Sequence, residues 1–229
     1  MTTFVLPLPE PPSVAIAKSE NRFPVRRIFC VGRNYAEHAR EMGNDPDREP
    51  PFFFTKPADC VIDDGAVLPF PTHTKNLHHE AELVVAIGTG GAGISPDEAL
   101  NHVWGYGPGN DLTRRDLQAE AKASRRPWDM AKGFDHSAAC GALHPVSEVG
   151  HPDQARITAT VNDNLRQDGD IADMIWPVAD VIAYLSGLVI LAPGDLIFTG
   201  TPAGVGSIKH GESCRVEIDG LGSVSVSFR

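Results

Sequence analysis

Three acidic residues carry the first chemical indication in this chain. Glu80 and Glu82 stand two positions apart in NLHHEAELVVAIG (76 to 88), at the head of an apolar run. Read as a strand, the run alternates its side chains between two faces. Glu80 and Glu82 then share a face with Val84 and Ala86, while Ala81, Leu83, Val85 and Ile87 line the other. Both faces are apolar past residue 82, so the strand is predicted to be buried on each side. Two carboxylates at its head need either solvent with Lys or Arg partners, or a positive charge between them. Asp111 ends the Gly-rich segment GYGPGND, just before a helix start. It reads either as an N-cap or, if its strand neighbours that of Glu82, as the third member of an all-oxygen cluster. Such a cluster suits Mg²⁺, Mn²⁺ or Ca²⁺ rather than zinc.

A proton carrier is offered by His38 and Glu41, three residues apart in NYAEHAREMGN (34 to 44). At helical spacing they share a face, and a carboxylate that orients an imidazole makes a general base; the same pair also suits a solvated surface helix. Lys132 in DMAKGFD reads, on its own, as a lysine snorkelling to solvent. FTGTPAGVG (198 to 206) runs from a strand into a Gly/Pro loop. Loops of this composition expose N–H groups that cradle anions, although the spacing matches neither a P-loop nor a dinucleotide fingerprint. His78 and His79 precede Glu80; an oxygen-rich site does not need them as ligands, so a supporting or packing role is expected.

Short segments must position these residues. RRIFCV (26 to 31) reads as a strand, and 34 to 44 as a helix with Asn34 as N-cap, Glu37 completing a capping box and Gly43 at C′. After the loop DPDREPP, strands are predicted at PFFFTK, AVLPF, AELVVAIG, HVWGYG, ITATVN, DLIFTG, CRVEIDG and SVSVSF, with a hairpin turn at Asp163 and Asn164. Two further helices are predicted at 112 to 124 and 177 to 191, the second apolar enough to be largely buried. Many short strands with few helices predict a β-rich α+β fold rather than a doubly wound one. Residues 1 to 24, rich in proline, read as an extended arm.

The totals exclude some classes. With 20 Lys+Arg against 30 Asp+Glu, the formal net charge of −10 argues against nucleic acid as a partner. No apolar run is long enough to span a membrane and no leader pattern opens the chain. Cys30, Cys60, Cys140 and Cys214 are widely spaced, which predicts reduced, buried thiols in a cytoplasmic protein.

The runs FCVGRNYAEHAREMG, FFFTKPADCV, NLHHEAEL, GYGPGNDLTRRDLQ, RPWDMAKGFDHS and LIFTGTPAGVG, in this order, resemble the fumarylacetoacetate hydrolase family, most closely its fumarylpyruvate and acylpyruvate hydrolase branch. The resemblance covers residues 25 to 229 and implies one catalytic domain, a mixed β-sandwich or roll with a few helices. It implies Mg²⁺ or Mn²⁺ on Glu80, Glu82 and Asp111, with Ca²⁺ as a substitute. Three carboxylates exceed the charge of one such ion, and nearby Lys and Arg are expected to balance the excess. The implied reaction is hydrolysis of the carbon–carbon bond of a 2,4-dioxo acid, foremost fumarylpyruvate of gentisate-type aromatic degradation, giving fumarate and pyruvate. Acetylpyruvate hydrolysis, oxaloacetate decarboxylation and 2-oxo acid hydration or isomerisation use the same enolate stabilisation. A binding protein for a metal or small acid is the non-enzyme reading. By resemblance His38 and Glu41 form the catalytic dyad on a lid, Lys132 stabilises the enolate or oxyanion, and Arg115, Gln118 and Thr201 bind substrate. Arg33, Arg125 or Arg126 would meet a distal carboxylate, and Arg114 is expected to be exposed. A homodimer is implied. Pro108 departs from the family pattern, as does HSAACG (136 to 141).

Overall fold

The computed structural model describes residues 4 to 41 and 50 to 229, with the side chains of residues 39 to 41 outside that description. The apolar run forms the strand Ala81–Ile87, every residue of which is buried. Leu83, Val85 and Ile87 enter one core cluster; Val84 and Ala86 enter a second, with Ile28, Leu196 and Phe198. The predicted two-faced burial follows from its place inside an eight-stranded sheet. In order, that sheet contains Phe52–Lys56, Arg27–Gly32, Asp195–Phe198, Ala81–Ile87, Val103–Asp111, Ala138–Cys140 and Val61–Ile62, with His144–Pro145 added to Val103–Asp111.

A five-stranded sheet lies across the first face, in the order Asn164–Asp170, Arg156–Val161, Ser213–Ile218, Gly222–Phe228, Ala66–Leu68. Ile157, Val216, Val224 and Val226 fill the layer between the sheets. Each such side chain withdrawn from water contributes about 1.5–3 kcal/mol. The hairpin of Ser13–Ala15 with Arg22–Pro24 covers the second face through Val14 and Phe23. Pairing is mostly antiparallel; Asp195–Phe198 runs parallel to Arg27–Gly32, and Gly222–Phe228 to Ala66–Leu68. The architecture is β-rich with few helices, as predicted. The four cysteines are free and buried. Among the described residues no helix is long and apolar enough to cross a membrane.

Several local expectations are corrected. Asn34 does not cap the helix Ala36–Glu41; it is wholly buried, and its amide donates to the carbonyls of Thr199 (2.8 Å) and Trp176 (3.0 Å) while accepting from Trp176 N–H (2.7 Å). Tertiary partners outcompeted the local cap. Gly43 lies outside the described residues. The hairpin turn sits one residue earlier than predicted, on Asn162 and Asp163, whose φ of 47° and 63° and the pairing of Val161 with Asn164 are those of a two-residue primed turn. The helix expected at 112 to 124 begins only at Arg115, because Thr113–Arg114 pair with Leu77–His79. The helix expected at 177 to 191 is Val178–Leu188, and only one face is covered: Val181, Ile182 and Leu185 are buried while Leu188 is 63% exposed. Pro108 lies mid-strand opposite Leu83, and its carbonyl accepts from Gly141 N–H (2.8 Å), just where the ladder to Ala138–Cys140 ends. Its missing donor therefore falls where pairing stops.

Candidate active site

Strand register brings the acids together. Ala81 pairs with Asn110 and Glu82 with Gly109, and Asp111 N–H donates to the Glu80 carbonyl (2.9 Å). Ligand oxygens of Glu80, Glu82 and Asp111 all lie within 4.8 Å of one another, and all three residues are buried. The crossing is tight: a Cβ at Gly109 would stand 2.4 Å from Val84 Cγ2 and 2.7 Å from Phe198 Cε1. Asp111 closes the cluster rather than capping a helix.

Cations surround these carboxylates. Lys132 Nζ bridges Glu80 Oε2 (2.6 Å) and Asp111 Oδ2 (2.7 Å). Lys56 Nζ lies 2.8 Å from Asp111 Oδ1 and also donates to the carbonyls of Leu112 (3.2 Å) and Lys132. Arg115 is paired with Glu80 Oε1 and donates to Gln118 Oε1 (2.6 Å). Lys132 is thus a buried member of the cluster, not a snorkelling lysine. The cations expected to balance the acids are Lys56, Lys132 and Arg115, which make with the three carboxylates a formally balanced set. Burial opposes ionisation of Glu80, but Lys132 and Arg115 outweigh it and hold that carboxyl well below its ordinary range. Glu82 goes the other way, pushed well up by burial and by the adjacent Asp111 and Glu80. Lys132 is desolvated, yet Asp111 and Glu80 keep it charged. Glu82 accepts from Gly200 N–H (2.8 Å), and among the described residues no Lys or Arg closes on it within ion-pair distance. An all-oxygen, buried cluster with one carboxylate in want of a positive partner fits a hard divalent cation.

A pocket opens over the cluster. Arg33, His38, Gln118 and Thr201 line it, as do Glu80, Glu82, Arg115 and Lys132. Phe52, Phe54 and Trp128 form an aromatic wall, with Phe52 edge-on to Trp128 at 5.3 Å between centroids. Glu41 ends the helix that carries His38, but its side chain lies outside the described residues, so the dyad has no geometry here. Arg125 and Arg126 are exposed, and Arg126 faces a neighbouring cleft beside Phe53 and Thr55. Arg114, expected to be exposed, is half-buried, its guanidinium 4.3 Å from the Phe134 ring centroid.

A buried amide fixes the loop at Thr201. Gln167 Oε1 accepts from Ala81 N–H (3.0 Å), and Gln167 Nε2 donates to the Pro202 carbonyl (2.8 Å), so its orientation is unambiguous. It follows that Nε2 donates to Thr201 Oγ1 (2.8 Å), which leaves the Thr201 proton available to a ligand, and that His79 donates from Nδ1 to Gln167 (2.8 Å). His78 accepts from Arg115 (3.3 Å) and pairs with Asn76 (3.0 Å), so burial and Arg115 bring its imidazolium down to about 4. Both histidines support the cluster without joining it, as expected.

Sequence reasoning missed Lys56, Gln167 and Lys122. Lys122 alone carried a legible signal: it follows Arg115 and Gln118 at helical spacing.

Fold and site together define the class. Residues 27–229 match the family model "Fumarylacetoacetate (FAA) hydrolase C-terminal", and the chain belongs to the fumarylacetoacetate hydrolase family. Within it, the chain is similar to fumarylpyruvate hydrolase from Pseudomonas aeruginosa, solved with Mn²⁺ and pyruvate: 51% identity, TM-score 0.97, 99% of each chain covered. A candidate fumarylpyruvate hydrolase from Burkholderia cenocepacia is 55% identical, with TM-score 0.93, over 100% of this chain and 96% of that one. A mitochondrial oxaloacetate tautomerase of Mus musculus is 40% identical over 204 residues, 89% of this chain and 91% of that protein.

Proposed function

We propose that this protein is a divalent-metal-dependent hydrolase of acylpyruvates, converting fumarylpyruvate and water to fumarate and pyruvate. The observation that supports it best is the buried Glu80–Glu82–Asp111 cluster under a cation-lined pocket. A Mn²⁺- and pyruvate-bound relative at 51% identity adds weight. Glu80, Glu82 and Asp111 would hold Mg²⁺ or Mn²⁺, which supplies Lewis-acid stabilisation of the enolate oxygen of the departing pyruvate unit. Because Lys56, Lys132 and Arg115 already balance the three carboxylates, the loaded site is formally doubly positive. That charge matches a pyruvate unit carrying one carboxylate and one enolate oxygen.

The chain's own groups divide the remaining work. Thr201 offers its hydroxyl proton, and Arg115 and Gln118 their donors, to the 2-oxo acid end. Lys132 steadies developing oxyanion charge. His38, for which the sequence offers Glu41 as partner, takes a proton from the attacking water. The hydroxyl oxygen bonds to the distal carbonyl carbon, the bond between that carbon and the methylene breaks, and its electron pair remains with the pyruvate unit. That unit takes up a proton at the methylene carbon to give pyruvate, and the acyl fragment leaves as fumarate.

A second reading, oxaloacetate keto–enol tautomerisation, is favoured by the 40% identical tautomerase. It needs the enolate stabilisation and the proton carrier but no attacking water. Steady-state rates with Mn²⁺ on fumarylpyruvate, acetylpyruvate and oxaloacetate separate the two. Fumarylpyruvate should be hydrolysed fastest, and His38→Ala should cut kcat about 10²–10⁴-fold while Mn²⁺ affinity is kept. Tautomerisation without hydrolysis of any acylpyruvate would install the second reading, and no turnover at all would leave a metal-binding protein.

A further inference from the structure

The pocket has a second cationic end. Arg115, Gln118 and Lys122 share one face of the helix Arg115–Ala123, and all three line the cavity. Seven residues place Lys122 about 10 Å along the helix axis from Arg115. Arg115 and Lys132 are engaged by Glu80 and Asp111. Lys122 has no such engagement: among the described residues its ammonium meets only the Trp128 ring, 5.0 Å from the centroid. A path of aromatic rings joins the two ends. Lys132 Nζ lies 4.9 Å from the Phe54 centroid, Phe54 lies 6.0 Å from Trp128, and Trp128 carries Lys122.

We propose that Lys122 is a specificity-determining residue that receives a carboxylate at the far end of the substrate, so that the site selects 2-oxo acids carrying a second, distal carboxylate across a flat unsaturated spacer. The proposal rests on the acylpyruvate reading. The cluster takes the 2-oxo acid head, the faces of Phe54 and Trp128 take the planar spacer, and Lys122 takes the tail at the reach of an extended short-chain diacid. Of the three sequence candidates for that tail, Arg125 and Arg126 stand outside the cavity, whereas Arg33 lines it with its guanidinium 5.3 Å from the Phe52 ring centroid. Burial, then Arg115 and Arg33, bring the Lys122 ammonium down to about 8, so an arriving carboxylate relieves repulsion between cations.

The test uses two ligands of equal length that the enzyme cannot hydrolyse, 2-oxoheptanedioate and 2-oxoheptanoate. Each is titrated calorimetrically into the Mg²⁺-loaded full-length protein. The wild type should prefer the dioate about tenfold or more, the increment of a charge-assisted contact. Lys122→Met should abolish that preference, and Lys122→Arg should retain most of it. Arg126→Met, which removes a nearby charge outside the cavity, should leave the ratio unchanged. An unaltered ratio in Lys122→Met, or equal loss in Arg126→Met, overturns the assignment while the acylpyruvate reading stands. Failure of the wild type to bind either ligand overturns both.

Discussion

Lys56 shows how a single buried charge sets the site. It is 2% exposed, and its ammonium joins Asp111, the Leu112 carbonyl and the Lys132 carbonyl, so one side chain fixes a candidate ligand and the backbone of the lysine opposite. Such a pair adds little net stability, but breaking it strands a buried charge. Lys56→Met should therefore cost about 3 kcal/mol in urea denaturation with EDTA present. It should also weaken Mn²⁺ binding, read by EPR titration, by about tenfold, the usual effect of losing a ligand's supporting contact. A loss below about 1 kcal/mol with unchanged Mn²⁺ affinity would make Lys56 a bystander. Nothing in FFFTK announces this role. The lysine ends a short aromatic strand, a position that suits a solvated strand end equally well.

At the scale of elements, the segment carrying His38 is held from three directions by Asn34. Its amide joins the strand Arg27–Gly32 to the Trp176 backbone and to Thr199, next to the Gly200 N–H that holds Glu82. Gly200 itself sits at φ 96°, with room for no Cβ: one there would lie 2.7 Å from Asn34 Cβ. Asn34→Ala leaves buried backbone groups unsatisfied, and its expected cost is about 2–4 kcal/mol by chemical denaturation. A cost of a few tenths would mean that Asn34 acts only as an N-terminal residue of the helix. Local pattern assigned Asn34 to a cap because a capping box is a short-range signal; its real partners stand more than 140 positions away.

For the molecule as a whole, the site stores repulsion that an ion would relieve. Glu82 has a folded-state pKa above its ordinary 4.5, so the metal-free native chain keeps a proton that the unfolded chain has lost. The stability this group contributes is present below that value and declines as pH rises toward the folded-state value. A cation binds the ionised carboxylate, so metal-induced stabilisation should grow as pH rises from the ordinary 4.5 toward the raised folded-state value of Glu82. At a hundredfold excess over Kd, Mg²⁺ or Mn²⁺ should add about 2.7 kcal/mol, roughly 5–10 °C in Tm for a chain of this size. Scanning calorimetry checks this, and Asp111→Asn should lose the increment. An equal increment in Asp111→Asn would place the ion elsewhere.

From the chain alone came the β-rich class and the two-faced burial of the strand Ala81–Ile87, and from its resemblance to the family came the acidic cluster, since local pattern left Asp111 open as an N-cap. These rest on a period of two, on carboxylates at the head of an apolar run, and on motifs whose order is one-dimensional. It took the folded chain to show that Lys56 and Lys132 balance the acids, that Gln167 orients Thr201, that Asn34 ties together three segments, and that Lys122 lines the pocket. Gln167 shows why: it lies in NLRQDGD, a stretch that reads as a solvated strand. It is wholly buried because the hairpin folds against Ala81 and Pro202, and no local spacing encodes which distant donors a buried amide will meet.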